Sequence, residues 1–279
     1  MLNHSFSHIP SVGGSTERKI WISGIETMDD FLKSPPTFLS PNKRSKIVDH
    51  IHVSKERSQN KDARYFYDNL PSKEHWRIFK DYQGTTAYID IETTGLGGPG
   101  DIITTIALYD GKTIKHYING KNLDAFKKDI KQYEVIVSYN GKTFDIPFIE
   151  SYFSISIPHS HIDLRYILKS LGYSGGLKSC EEQLGIGRTS SLREVDGDFA
   201  VLLWNDYKRK KNKKSLETLL SYNIADVLNL EYLMIAAYNR KLAEMPFELE
   251  TLNTPVTPEN PFEIDTLTVK RIQHKYYSF

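Results

Sequence analysis

Cysteine is almost missing from this chain of 279 residues, since Cys180 is the only one. One cysteine excludes an internal disulfide framework and a thiolate metal site, and it suits a reducing compartment. No apolar run approaches the roughly 20 residues that a transmembrane helix needs. Residues 1–10 lack the charged start and apolar stretch of a signal peptide. The sequence therefore predicts a cytoplasmic protein without a membrane segment.

Excess charge of one sign is also missing, because the formal net charge is +1. Composition alone therefore does not indicate a nucleic-acid binder. With 39% hydrophobic and 25% charged residues, the chain is an ordinary globular protein. Positive charge is concentrated in one run, residues 208–214. A solvated loop between helices is the simpler interpretation of this run, and contact with substrate phosphates is the alternative.

The two ends of the chain differ in pattern from its centre. Residues 1–80 are predicted to be a helical N-terminal extension and linker, with Thr27 and Asp30 marking a helix start and a Pro- and Ser-rich stretch at 34–62. Residues 243–279 carry spaced prolines and are predicted to be an extended tail.

The centre, residues 81–242, alternates strand and helix patterns. The five strand candidates are Thr86–Ile91, Ile102–Tyr109, Thr113–Ile118, Val135–Tyr139 and Ser160–Asp163. The dipeptide Asp110-Gly111 predicts a hairpin turn between the second and third strands. Helices are predicted at 123–130, 147–153, 164–171, 177–185, 197–209 and 215–239. A hairpin followed by a βαβαβ run predicts an α/β fold, with a mixed five-stranded sheet and helices on both faces.

Two acidic residues, Asp90 and Glu92, alternate along the first predicted strand. Residues i and i+2 of a strand point to the same face, so Ile89 and Ile91 point the other way, into the core. Burying two neighbouring carboxylates is costly unless a metal ion or an arginine neutralises them. A polar strand end is the alternative explanation. The pair nevertheless favours a metal site.

Asp145 follows the fourth predicted strand, just before a helix that Pro147 is expected to open. It can act as the N-cap of that helix. The carboxyl end of a strand in an open α/β sheet is also where ligands bind, so a site is the second interpretation.

Tyr222 and Asp226 share one face of the last predicted helix, a spacing that on its own is typical of a partly exposed surface. With the other motifs, Asp226 completes a set of four carboxylates. Four carboxylates in one place need cations between them, and oxygen ligands of this kind suit Mg²⁺ or Mn²⁺. Two such ions close together are a common device for phosphodiester hydrolysis.

These motifs, in this order, resemble the DEDD-type 3′–5′ exonucleases of the ribonuclease-H-like superfamily, in the variant with Tyr before the last Asp (DEDDy). More narrowly, the chain is similar to the YprB-like branch. The resemblance covers roughly residues 85–240. Each motif alone is a weak indication of the family, but all of them in this order are a strong one. The matching segments are 90–96, 139–145, 161–164, 175–186, 196–207 and 222–233.

The resemblance implies a role for each matching residue. Asp90 would bridge two divalent ions, Glu92 and Asp226 would complete the site of one ion, and Asp145 would hold the other. Tyr222 would orient the attacking water, because its hydroxyl is neutral near pH 7. Substrate contacts are implied for Thr93, Thr94, Leu96, Asn140, Lys142 and Phe144.

Two of these expectations have a simpler alternative. Lys142 is either a phosphate contact or a solvated lysine. Asp163 is expected to have a structural role, with contact to metal-bound water as the alternative.

The activity that the resemblance implies is hydrolysis of single-stranded DNA or RNA from its 3′ end to 5′-mononucleotides. A structure-specific endonuclease and a non-catalytic nucleic-acid-binding module are the alternatives on the same fold. Residues 8–34 also resemble a helix–hairpin–helix element, whose backbone N–H groups bind DNA phosphates, although Ser11 stands where glycine is usual. A plain helical docking segment explains the same pattern. The resemblance to a DNA-binding element favours DNA over RNA.

Overall fold

The computed structural model describes residues 1–187 and 197–277. Its sheet has five strands: β1 (Thr86–Thr93), β2 (Ile103–Tyr109), β3 (Ile114–Ile118), β4 (Val135–Ser138) and β5 (Ser160–Asp163). The described α-helices are α1 (Gly14–Ile22), α2 (Met28–Lys33), α3 (Pro41–Gln59), α4 (Ala63–Asn69), α5 (Phe79–Tyr82), α6 (Phe126–Asp129), α7 (Asp145–Phe153), α8 (Leu164–Ser170), α9 (Leu177–Gln183), α10 (Gly197–Lys210), α11 (Lys213–Ala243) and α12 (Thr266–Tyr277). Among these helices, none is long and apolar enough to cross a membrane.

The strand order is β3-β2-β1-β4-β5. The first three strands are antiparallel neighbours, while β1, β4 and β5 run parallel. The predicted mixed five-stranded sheet is therefore confirmed, as is the hairpin turn at Asp110-Gly111. The strand β1 lies at the centre and extends past the end of β4, because its last pair with β4 is Tyr88 with Val137.

Helices cover both faces of the sheet, as predicted. One core cluster contains Tyr88 and Val137 with apolar side chains of α8 and α11. The opposite cluster contains Ile89 and Ile91 with apolar residues of α6 and α7. Alternation along β1 thus sends its isoleucines to one core and leaves Asp90 and Glu92 on the face that α11 covers.

Several predicted boundaries were wrong. The strand β1 continues two residues further, to Thr93, after an irregularity between Glu92 and Thr93. The helix expected at 123–130 is a short α-helix, α6, flanked by 3₁₀ turns. The helix α7 begins at Asp145, so Pro147 is its third residue. A proline is tolerated there because the first N–H groups of a helix have no intrahelical acceptor.

The N-terminal residues are helical, as expected, but more regular than the sequence suggested. The predicted linker at 34–62 consists mostly of the 19-residue helix α3, which Ser40 caps. Thr27 and Asp30 form the predicted helix start as a reciprocal capping box.

A buried ion pair fixes the N-terminal residues in place. The Glu17 carboxylate accepts hydrogen bonds from the backbone N–H groups of Phe6 and Ser7 and from the guanidinium of Arg77. Glu17 and Arg77 are both buried.

The expectation of an extended tail was wrong at its end, because residues Thr266–Tyr277 form α12. Val269 and Ile272 of this helix are buried against α10 and α11. The helix was not predicted because about one apolar residue per turn is a weak helical pattern, and the preceding prolines indicated an extended chain. The division at residues 80 and 242 stays a prediction.

Candidate metal centre and active-site cleft

Three carboxylates from two elements meet at the carboxyl end of β1. Asp90, Glu92 and Asp226 each offer an oxygen atom, and these atoms lie within 4.8 Å of one another. Asp90 and Glu92 share one face of β1, as predicted, while Asp226 projects from α11, which packs across that face. Asp226 and Glu92 are buried, and Asp90 is partly exposed. The arrangement matches hard oxygen ligands for a divalent cation.

Asp145 lies in the same cleft but outside this close set. Its side chain accepts a hydrogen bond from the backbone N–H of Ile91 at 3.3 Å. The strand β4 ends before Ile91, so the carboxylate takes the place of a missing strand partner. The N-cap of α7 is Phe144 and not Asp145, which is the first helical residue. The N-cap interpretation of Asp145 was therefore wrong.

Burial and the charges of neighbouring carboxylates act on Asp90, Glu92 and Asp145. Burial raises the pKa of Asp90 well above its usual value, and the charges of Asp226 and Asp145 raise it further. The pKa of Glu92 is raised by burial and by the same two neighbours. Burial raises the pKa of Asp145 to about 7. Without a cation the cluster is therefore unfavourable in its fully ionised form, which is the behaviour expected of a metal site.

Tyr222 lies one turn before Asp226 on α11 and borders the same cleft. Its ring is buried, and the Lys178 ammonium lies over it at 5.1 Å from the ring centre. The predicted spacing thus places a phenol beside the three clustered carboxylates.

The cleft has a volume of about 690 Å³. Five of the six predicted substrate-contacting residues line it: Thr93, Thr94, Leu96, Asn140 and Phe144. Leu96 is 91% exposed at the rim. Its loop is held by Asp101, whose carboxylate accepts from the backbone N–H groups of Gly97 and Gly98. The loop therefore presents an exposed apolar side chain at the rim of the cleft.

Lys142, the sixth predicted substrate contact, does not line the cleft. Its ammonium donates to the hydroxyl of Ser72 at 3.1 Å and lies 3.3 Å from His75 Nδ1. It also lies over the ring of Tyr67. The side chain thus joins the second motif to the N-terminal residues and is not simply solvated. A phosphate contact by Lys142 stays a prediction.

Asp163 has the structural role that was expected. Its carboxylate accepts from the backbone N–H groups of Asn140, Lys142 and Arg165. These bonds hold the turn at Asn140, whose φ of 64° is in the left-handed region. Asn140 itself faces the cleft.

A family model described as "RNase_H superfamily" matches residues 87–238, which is more than half of the chain. The chain belongs to the ribonuclease H superfamily. The match begins within β1 and ends within α11, so it includes the three clustered carboxylates, Asp145 and Tyr222.

Two solved structures are similar to this superfamily member. A family B DNA polymerase from the hyperthermophilic archaeon Pyrobaculum calidifontis is 18% identical, with a TM-score of 0.41 over 57% of this chain and 24% of the polymerase. Brucella melitensis NrnC with bound Mg²⁺ is 15% identical, with a TM-score of 0.31 over 62% of this chain and 94% of NrnC. The chain thus spans about a quarter of the polymerase. No curated protein sequence matches it.

Within the ribonuclease H superfamily site, sequence reasoning missed Lys178. It lines the cleft at the start of α9, and its charge opposes the rise in the pKa of Glu92. The segment Gly175–Ile186 was noted only as part of the resemblance. A lysine two residues after the glycine pair Gly175-Gly176, in the first turn of a helix, was the available signal.

Sequence reasoning also missed Asn223, the residue after Tyr222. Its amide donates to Asp90 Oδ2 at 2.7 Å, and its own Oδ1 accepts from the Thr105 hydroxyl at 3.0 Å. A fully buried polar side chain of this kind needs such partners. Because three elements contribute to this chain of hydrogen bonds, no local pattern could reveal it. The matching segment 196–207 starts at Asp196, which lies outside the described residues.

Proposed function

We propose that this chain is a metal-dependent 3′–5′ exonuclease that hydrolyses single-stranded nucleic acid to 5′-mononucleotides. The observation that carries the proposal is the meeting of Asp90, Glu92 and Asp226 within 4.8 Å, in a cleft that Tyr222 also borders. We assign the catalytic unit to residues 81–242 and place the protein in the cytoplasm. DNA is favoured over RNA on the resemblance of residues 8–34 to a DNA-binding hairpin.

The donor set fits divalent ions with oxygen ligands. Asp90, Glu92 and Asp226 would hold one Mg²⁺ or Mn²⁺ ion, and Asp145 with Asp90 would hold a second. When bound, such ions supply Lewis acidity and lower the pKa of coordinated water. Burial of the carboxylates among apolar side chains strengthens their attraction for a cation, because the local dielectric is low.

The other side chains that line the cleft would position the attacking water and the substrate. The Tyr222 hydroxyl is a neutral donor and acceptor, suited to holding a water in line with a phosphodiester. Lys178 brings a positive charge to the same cleft and would stabilise negative charge on the phosphate. Thr93, Thr94 and Asn140 border the cleft as polar contacts for the terminal nucleotide, while Leu96 and Phe144 offer apolar surface to bases.

Degradation of end-labelled substrates tests this proposal. Single-stranded DNA, duplex DNA and RNA of one sequence are incubated with Mg²⁺, Mn²⁺ or EDTA, and products are resolved by length. We expect stepwise shortening from the 3′ end of the single strand, release of 5′-mononucleotides and no reaction in EDTA. A 3′-phosphate should slow the reaction, because the site must accept a free 3′-hydroxyl.

The matched controls are a circular single strand and the variant Asp226→Asn. Cleavage of the circle at a similar rate would identify the endonuclease. Binding without cleavage under every metal condition would identify the non-catalytic module. Asp226→Asn keeps the shape of the side chain and removes one charge, so its activity should be nearly lost.

A further inference from the structure

The basic run of the sequence forms an ordered turn between two helices. In this basic turn, defined as residues 208–214, α10 ends at Lys210, Lys211 adopts a left-handed φ of 56°, and Asn212 caps α11. The side chains of Lys208, Arg209, Lys211 and Lys213 are exposed. Arg209, Lys211 and Lys213 have no ion-pair partner in the described part of the chain.

One half-buried acid, Asp206, holds the basic turn in place. The Asp206 carboxylate accepts hydrogen bonds from Arg271, Ser215 and Asn212. It also forms an ion pair with Lys210. The hydrogen bond from Arg271, followed by those from the other partners, keeps the pKa of Asp206 well below its usual range. Arg271 and Lys210 engage this acid and Glu217 pairs with Lys214, so the charges of Arg209, Lys211 and Lys213 are not neutralised by an ion pair among the described residues.

The C-terminal helix adds positive charge beside the turn. A hydrogen bond from Lys275, together with the charges of Lys275, Arg209 and Lys210, lowers the pKa of Tyr276. The end of α12 therefore lies near the end of α10, and Tyr276 is 43% exposed there. An exposed aromatic ring among cations is a common element of surfaces that bind single-stranded nucleic acid.

Helix stability accounts for only some of these cations. Lys208, Arg209 and Lys210 lie in the last turn of α10, where positive charge is favourable. Lys213 and Lys214 lie in the first turn of α11, where positive charge is unfavourable and where no acidic residue is present. Glu217 offsets the charge of Lys214 through an ion pair, whereas Lys213 has no ion-pair partner among the described residues.

The helix α10 connects the basic turn to the cleft. Its first residues, Gly197 and Asp198, and Val201 line the cleft. Lys208 lies two turns after Val201 on the same helix face, about 10 Å further along the axis. At about 3.4 Å per nucleotide of a stacked strand, this distance corresponds to about three nucleotides.

We propose that the basic turn binds the sugar–phosphate backbone of the single-stranded substrate, about three nucleotides on the 5′ side of the terminal nucleotide. This inference rests on the proposed exonuclease function and adds a second contact region to it. The contacts are to phosphates, so they strengthen binding irrespective of sequence.

The test uses variants in which glutamine replaces charged side chains outside the cleft. The basic triple is Lys208→Gln, Arg209→Gln and Lys211→Gln. The control triple is Lys112→Gln, Lys128→Gln and Lys131→Gln, which removes the same charge from exposed residues. The hairpin turn with Lys112 and the segment before β4 with Lys131 lie at the opposite end of the sheet from the cleft.

Fluorescence anisotropy measures binding without catalysis. The probe is an oligothymidylate of about 12 nucleotides, in EDTA, between about 50 and 200 mM salt. We expect the basic triple to bind about 10-fold more weakly than wild type at low salt, and its slope of log Kd against log salt to fall by about 2. Wild-type affinity and slope in the basic triple, or an equal loss in the control triple, would overturn the proposal. Arg209→Gln alone, with a loss of about 3-fold, replaces the triple if the triple does not fold.

Steady-state kinetics on a long and a short substrate show where along the strand the basic turn makes its contact. On the long oligonucleotide we expect the basic triple to raise KM with kcat unchanged, and on a dinucleotide we expect no change. An equal loss on both substrates would overturn the proposal, since the turn would then act on the cleft. Absence of turnover in wild type would contradict the proposed function alone, because the anisotropy result decides the basic turn independently.

Discussion

Asn223 and Asp90 are 133 positions apart in sequence, and the amide of Asn223 donates to Asp90 Oδ2 at 2.7 Å. The same amide group donates to the main-chain oxygen of Asp90 at 3.2 Å. Asn223 follows Tyr222 on α11, so this contact ties the helix that carries Tyr222 and Asp226 to the strand that carries the other two clustered carboxylates. It leaves the second oxygen of Asp90 for a cation.

Replacing Asn223 with alanine should disturb the metal site without removing a ligand. We expect kcat to fall about 10- to 100-fold and more Mg²⁺ to be needed for half-maximal activity, because Asp90 loses the group that orients it. Thr105→Val should give a smaller loss in the same direction. Asn229→Ala is the matched control on the same helix, since Asn229 bonds to Glu181 outside the carboxylate set. Unchanged metal activation in Asn223→Ala would contradict an orienting role.

Replacing Asp90 with alanine should abolish activity and leave folding intact. Asp90 is central to the proposed ligand set. Burial and the charges of its neighbours raise its pKa, so its ionised carboxylate destabilises the protein when no metal ion is bound. We expect thermal unfolding in EDTA at or above the wild-type temperature, and turnover near background with Mg²⁺ or Mn²⁺. A variant with full activity would rule out a metal-dependent reaction at this site.

Tyr222→Phe should act on the chemical step. The change keeps the ring, its contact with Lys178 and all the carboxylates, and it removes one hydroxyl. Because a positioning contact is lost, we expect kcat to fall about 10- to 1000-fold with KM little changed. Steady-state kinetics across about pH 6 to 9 provide the measurement. Wild-type kinetics throughout would make Tyr222 a packing residue.

Gly141→Ala should destabilise the second motif. An added Cβ would lie 2.1 Å from Ser138 Oγ and 3.2 Å from His161 Cε1, and both neighbours are buried. We expect the free energy of unfolding to fall by about 1 to 3 kcal/mol, as is usual for overpacking. Urea unfolding measures this loss. Gly84→Ala is the control, because its Cβ would meet nothing within 4 Å, and it should leave stability nearly unchanged.

His161 should make the protein sensitive to acid. Burial, with the charges of Lys142 and His75, lowers the pKa of His161 to about 3. The unfolded chain binds the proton first, with a pKa near 6.5, so stability is fully present above that value and is lost as pH falls toward 3. Between about pH 7.5 and 5 this one group removes about 2 kcal/mol.

The variant His161→Gln tests this prediction, because glutamine keeps a polar partner for Ser138 and does not titrate. Urea unfolding at both pH values should show that the stability difference between wild type and variant narrows in acid by about that amount. A difference that does not depend on pH would contradict the assignment.

The sheet could be predicted because its strands have local signals. The strand β5 was predicted with its observed bounds, Ser160–Asp163, and the Asp110-Gly111 turn fixed the hairpin. The helix α12 was missed because only two buried residues, Val269 and Ile272, face the core. Its partners lie on α10 and α11, so tertiary packing stabilises it more than local propensity does.

The candidate site could be predicted where spacing decides which face a residue occupies. Asp90 with Glu92 and Tyr222 with Asp226 follow the strand and helix periods, and the structure brings both pairs to one cleft. Lys142 shows the limit of such reasoning. Its motif lies beside the cleft, but its side chain turns toward Ser72 and His75, which the sequence does not place next to it.

The ion pair between Glu17 and Arg77 sets an order of events during synthesis. Glu17 and its helix leave the ribosome long before Arg77, so the carboxylate has no guanidinium to bind until the residues just before β1 have emerged. The N-terminal helices therefore complete their packing together with the start of the sheet. Truncation through α1 would remove Glu17 together with Ser5 and Trp21, which also contact Arg77, and would leave Arg77 its ion pair with Glu74. A shortened protein would test chain stability, so point substitutions are needed to learn what the N-terminal residues bind.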